Sequence, residues 1–96
     1  MAISLSELET LVRKTVTLYN RLKTPEVLAR IVKTSLETVT IEFSGSFCFD
    51  CGGILTYVED FARDFKVFVD YVELKVGQTR QITPRSFQVD YSVKAR

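Results

Sequence analysis

Residues 37–65, ETVTIEFSGSFCFDCGGILTYVEDFARDF, change their hydrophobic period in mid-course. Val39, Ile41 and Phe43 alternate with Thr38, Thr40, Glu42 and Ser44, the period of two that a half-buried strand requires. Beyond the glycines, Ile54, Leu55, Val58, Phe61, Ala62 and Phe65 follow helical spacing. Thr56, Glu59, Asp60, Arg63 and Asp64 fall on the other side of that helix. A strand therefore hands over to a helix across SGSFCFDCGG, residues 44–53, and the helix N-terminus is expected at or next to Cys51.

Upstream, residues 3–23 read as a first helix, with Leu8, Leu11, Val12, Thr15, Val16, Tyr19 and Leu22 inward and Arg13, Lys14, Asn20, Arg21 and Lys23 outward. Ser4 and Glu7 have capping-box spacing, Ile3 and Leu8 fit a hydrophobic staple, and Thr24-Pro25 stops the helix. Residues 27–34 fit a short helix capped by Thr24-Pro25-Glu26, or a strand. The strand is preferred because Val27, Ile31 and Val32 are β-branched and residues 37–45 offer a partner, leaving 33–37 as a hairpin loop.

Downstream, 67–76 reads as a strand ended by Gly77. A loop follows through Gly77-Gln78-Thr79 and Thr83-Pro84, and Phe87, Val89, Tyr91 and Val93 alternate along a last strand. The order α-β-β-α-β-β predicts an α+β two-layer sandwich, a mainly antiparallel sheet with two helices on one face, as a single domain over 1–96. The last strand is expected at a sheet edge, where a second subunit could pair.

The chain has 96 residues, 46% hydrophobic and 26% charged, a globular balance. MAISLSELET lacks a secretion-signal pattern and no apolar run approaches membrane-span length, so a cytoplasmic protein without a membrane partner is expected. Net charge is +1, distributed as +3 over residues 1–36, −6 over 37–73 and +4 over 74–96. Histidine is absent, which excludes His-assisted Ser or Cys hydrolysis, Cys/His zinc fingers and His-ligated haem within one chain. A conventional enzyme is not the expected reading, and thiol–disulfide exchange stays open as the enzyme-class alternative.

Cys48 and Cys51 are the only cysteines. Amide groups and the dipole at a helix start favour a thiolate, as a redox or metal-binding thiol needs, while the Asp50 carboxylate between them opposes it. The strand, C-x-x-C loop and helix resemble the C-terminal domain of NifU-type iron–sulfur scaffold proteins over about residues 5–76. Residues 39–45 resemble the strand before the loop, and Thr56, Phe61 and Phe65 the helix after it. Ser46 and Phe47 separate Gly45 from Cys48 where that family has one residue, and Gly52-Gly53 replaces its usual Pro and Ser. The resemblance implies that Cys48 and Cys51 ligate an iron–sulfur cluster bridged by two subunits. A thioredoxin-like arrangement is the rival, with 41–43 as central strand, Phe47 before the first cysteine and Thr83-Pro84 as its proline loop, implying thiol–disulfide exchange.

A third alternative makes Cys48 and Cys51 purely structural, a buried pair or a local disulfide. Zinc on this pair would need carboxylates or a second subunit, so the cofactor stands open among iron–sulfur, zinc and none. Phe47 and Phe49 fit core plugs or a partner patch, and Gly45, Gly52 and Gly53 fit turn geometry. Nucleic-acid binding would have to rest on the basic residues near the C-terminus, but alternation puts Phe87 and Tyr91 on the core face and no nucleic-acid-binding motif is present, which argues against it. Glu59, Asp60 and Asp64 read as a solvated face. The expected function is a small non-enzymatic binding or assembly module whose partner is a second copy or another protein.

Overall fold

The computed structural model describes residues 3–45 and 54–95. Its elements run α1 (Leu5–Lys23), β1 (Val27–Thr34), β2 (Thr38–Gly45), α2 (Ile54–Phe65), β3 (Val72–Thr83) and β4 (Ser86–Ala95). The four strands form one antiparallel sheet in the order β1-β2-β4-β3, and both helices pack on one face. This is the α+β arrangement that the sequence pattern predicts.

Ser4 starts α1: its Oγ accepts from the Glu7 N–H at 3.1 Å and donates to Glu7 Oε1 at 3.2 Å. Glu7 thus closes on the Ser4 side chain, a variant of the expected capping box. Thr24 ends the helix in extended conformation, as the following proline demands. Ile3 packs against the core as the staple predicts.

Residues 27–34 are a strand. Val27, Ala29 and Ile31 face the core while Leu28 lies exposed, and a bulge between Ile31 and Lys33 shifts the register. The expected 33–37 loop shortens, because Ser35 takes over the turn: its N–H and Oγ both donate to the Thr38 carbonyl, at 2.8 and 3.0 Å.

Three strand expectations are corrected. Residues 67–71 are not strand, since Lys66, Val67 and Phe68 N–H groups bond back three residues to Arg63, Asp64 and Phe65 and prolong the helix end as a tight turn. Gly77-Gln78-Thr79 is not a loop. It is a bulge within β3, where Val76 pairs with Tyr91 and Thr79 with Val89. A Cβ on Gly77 would stand 2.6 Å from the Asp90 carbonyl oxygen, so this close approach of backbones requires glycine. The chain reverses at Pro84-Arg85, between the paired Thr83 and Ser86. Nor is β4 an edge: it lies between β2 and β3, and β1 and β3 are the outer strands. Its alternation of Phe87, Val89 and Tyr91 with polar residues reflects one buried face, a pattern interior and edge strands share.

An aromatic cluster joins the two layers. Phe61 of α2 meets Tyr19 of α1 and Phe43 of β2 edge to face, with centroids 5.5 and 5.8 Å away, and Tyr91 of β4 at 5.5 Å. Phe43 stacks on Phe87 at 5.2 Å. All five rings are fully buried, and removing one such ring would cost roughly 3–5 kcal/mol.

Candidate functional site

Cys48 and Cys51 lie outside the described residues, as do Phe47, Phe49, Asp50, Gly52 and Gly53. The two feet of their loop are described. At the first, Gly45 donates its N–H to the Arg85 carbonyl at 3.0 Å and pairs with Val27. Its φ is +157°, and a Cβ there would stand 2.2 Å from the Glu26 carbonyl oxygen. Backbone approach therefore dictates glycine at this end of β2. At the second foot, in the first turn of α2, Tyr57 donates from its hydroxyl to Glu26 Oε2 at 3.4 Å. Glu26 thereby touches both feet, one through its backbone and one through its carboxylate.

Behind the second foot, α2 is tied down by two phenols. Tyr19 donates to the Tyr57 carbonyl at 3.0 Å and Tyr91 to the Val58 carbonyl at 2.7 Å. Burial raises both phenol pKa values above the ordinary 10.0, with nearby carboxylates, Asp60 first, adding to the shift at Tyr19. These hydroxyls stay protonated and act as donors.

The expected solvated acidic face of α2 is only partly that. Glu59 is exposed. The Asp60 side chain is just 13% exposed, held by Lys23 Nζ at 2.6 Å and Arg63 Nη1 at 3.3 Å. Asp64 Oδ2 is buried without a hydrogen-bond partner, and burial first, then the Asp60 charge, raise its pKa above 3.8. These two carboxylates border the α1–α2 seam because α1 brings Lys23 across to them. That meeting of α1 and α2 is invisible to helical periodicity.

The face of the sheet away from the two helices carries a row of side chains in register across all four strands. Arg30 pairs with Glu42 at 3.0 Å, Gln88 Nε2 donates to Glu42 Oε1 at 3.0 Å, and Arg80 Nη2 donates to Gln88 Oε1 at 3.2 Å. Arg80 also grips Asp90 with both terminal nitrogens, at 2.8 and 3.2 Å, and Thr40 donates to Asp90 at 2.8 Å. Hydrogen bonds from Gln88 and then Arg30 lower the Glu42 pKa below 4.5; bonds from Arg80 and then Thr40 lower that of Asp90 below 3.8. The row satisfies itself, which suits a stabilising ladder.

Phe87 and Tyr91 face the core as expected. Thr83-Pro84, which the thioredoxin-like resemblance takes as its proline loop, leads into the β3–β4 hairpin turn. No group of three or more His, Cys, Asp or Glu side chains is placed to hold a metal ion among the described residues. None of the described helices is long and apolar enough to cross a membrane. No family model, curated protein or solved structure matches this chain.

Proposed function

We propose that the chain is a small binding and assembly module whose Cys48–Cys51 loop holds a soft metal or an iron–sulfur cluster, with a second copy completing the ligand set. The observation that carries this reading is a C-x-x-C loop springing from two feet that Glu26 joins, Gly45 through its backbone and Tyr57 through its carboxylate. Anchored flanks on both sides of the cysteine segment lower the entropy cost of taking up a ligand there.

In a chain without histidine, the two thiolates are the natural soft donors, and two per chain fall short of the four that a zinc site or a cluster takes. Two chains supply four. The resemblance to NifU-type scaffold domains supports the same stoichiometry.

Anaerobic reconstitution of the reduced chain with iron and sulfide, and separately with zinc, tests the reading by native mass measurement. One cluster or one zinc per two chains is expected, lost in Cys48→Ser and Cys51→Ser. A reduced chain that stays monomeric and retains no metal would overturn it. So would a Cys48–Cys51 disulfide that persists in excess reductant, which would favour the structural role.

A further inference from the structure

On the side of α1 away from the aromatic cluster lies an open trough of about 600 Å³. One wall is α1, with Arg13, Lys14, Leu18 and Arg21; the other is the turn after α2, with Val67 and Phe68. A smaller hollow of about 270 Å³ shares Thr10 and Phe68 with it and continues past Glu7 to Ser6, so the one carboxylate of the lining lies at that far end, away from Arg13, Lys14 and Arg21. Together they follow α1 from Ser6 to Arg21, which at ~1.5 Å per residue is about 22 Å.

Two features set this trough apart. Its main compartment is lined by three cations and no carboxylate, and none of the three forms an ion pair among the described residues. Lys23, two residues past Arg21, is by contrast paired with Asp60. Its apolar wall is also open to solvent, Val67 being 67% and Phe68 38% exposed. Apolar side chains beneath unpaired cations mark a surface made for an occupant with apolar and anionic groups on one face.

We propose that this trough docks an acidic amphipathic helix. Such a helix lays apolar side chains at i and i+4 on Leu18, Val67 and Phe68, while flanking Asp or Glu residues meet Arg13, Lys14 and Arg21. Arg13 and Arg21 lie ~12 Å apart along α1, about two helical turns of a facing partner. An acyl chain needs enclosure on more sides than two walls give, and a phosphate backbone has no use for the apolar wall. A flat lipid surface would leave the concavity unfilled.

The test is fluorescence anisotropy of the full chain with a labelled synthetic helix bearing Leu at i and i+4 and flanking Glu, against the same peptide with Lys for Glu. Saturable binding of the Glu peptide alone is expected, weakened about tenfold or more by Arg13→Glu with Arg21→Glu and by higher salt. Val67→Asp should weaken it similarly. All three positions are exposed, so far-UV circular dichroism should be unchanged; Arg→Gln variants serve if charge reversal disturbs the fold. Equal binding of both peptides, or binding indifferent to Arg13 and Arg21, overturns the proposal. So do tighter binding to phosphatidylserine vesicles than to the peptide, and a self-association that Val67→Asp abolishes, which would assign the trough to a lipid surface or a second copy. Repeating the titration with Cys48→Ser and Cys51→Ser keeps the result separate from the metal reading, since the trough should bind as before.

Discussion

The Asn20 carboxamide holds both backbone groups of Ala29: Nδ2 donates to the Ala29 carbonyl at 3.1 Å, and Oδ1 accepts from the Ala29 N–H at 2.7 Å. An α1 side chain thus occupies the place of a neighbouring strand on the outer edge of β1. Open edges invite pairing with other chains, and here a helix covers part of one.

Asn20→Ala removes both bonds and leaves two backbone groups of a buried residue unpaired. A loss of roughly 1–3 kcal/mol in urea unfolding is expected. The freed edge should also raise concentration-dependent association, visible in sedimentation. Unchanged stability together with unchanged association would show that the pair does neither job.

Asp64 makes the opposite kind of contribution. Its folded pKa is raised above 3.8 by burial and by the Asp60 charge, so the stability tied to its protonated form is complete below the unfolded pKa and lost as pH rises through the folded one. Asp64→Asn should therefore stabilise the protein at pH 7 and give no gain near pH 3. Thermal melts at the two pH values decide it, and a gain that is equal at both would count against the burial explanation.

Glu42 and Asp90 are shifted downward, so what they contribute is present above the ordinary carboxylate range and disappears as pH falls through their folded pKa values. In Asp90→Asn the fall in stability on acidification below about pH 4 should be shallower than in the parent chain. Denaturant titrations at stepped pH measure that slope.

Tyr19→Phe and Tyr91→Phe each strip one hydroxyl that binds α2, and each is expected to cost about 1 kcal/mol. Their acceptors, the carbonyls of Tyr57 and Val58, are neighbours in the chain. The double variant should therefore depart from additivity, which a double-mutant cycle in urea would detect.

Gly45→Ala drives a Cβ to 2.2 Å from the Glu26 carbonyl oxygen. Backbone on both sides must shift, at a cost of about 1–3 kcal/mol. Because Gly45 borders the cysteine segment, the proposed metal binding predicts that metal retention falls in the same variant even where it remains folded. A variant with parental stability would refute the close approach.

The element order was legible because each segment carries its own period. Val39, Ile41 and Phe43 needed only alternation, and Val58, Phe61 and Phe65 only helical spacing, to be placed on the core side, and all six are buried. The same rule puts Leu22 and Leu55 inward, yet they are exposed, because periodicity names an apolar stripe without saying how far along it a neighbouring element reaches. Gly77 misleads for a related reason. A glycine within a strand pattern marks a turn or a bulge with equal force, and only the pairing of Val76 and Thr79 with β4 separates them.

The candidate site divides in the same way. Spacing alone singled out Cys48 and Cys51, and local rules alone placed Ser4, Pro25 and the turn between β1 and β2. Long-range packing decided what no window of sequence contains: that Asn20 covers the β1 edge, that Lys23 reaches Asp60, that Arg30, Glu42, Gln88 and Arg80 stand in one row, and that Val67 and Phe68 face α1 across a cationic trough. Local structure follows from residues a few positions apart and is written in their periodicity. Edges, registers and troughs arise where distant segments meet, so they depend on how the helices cross the sheet.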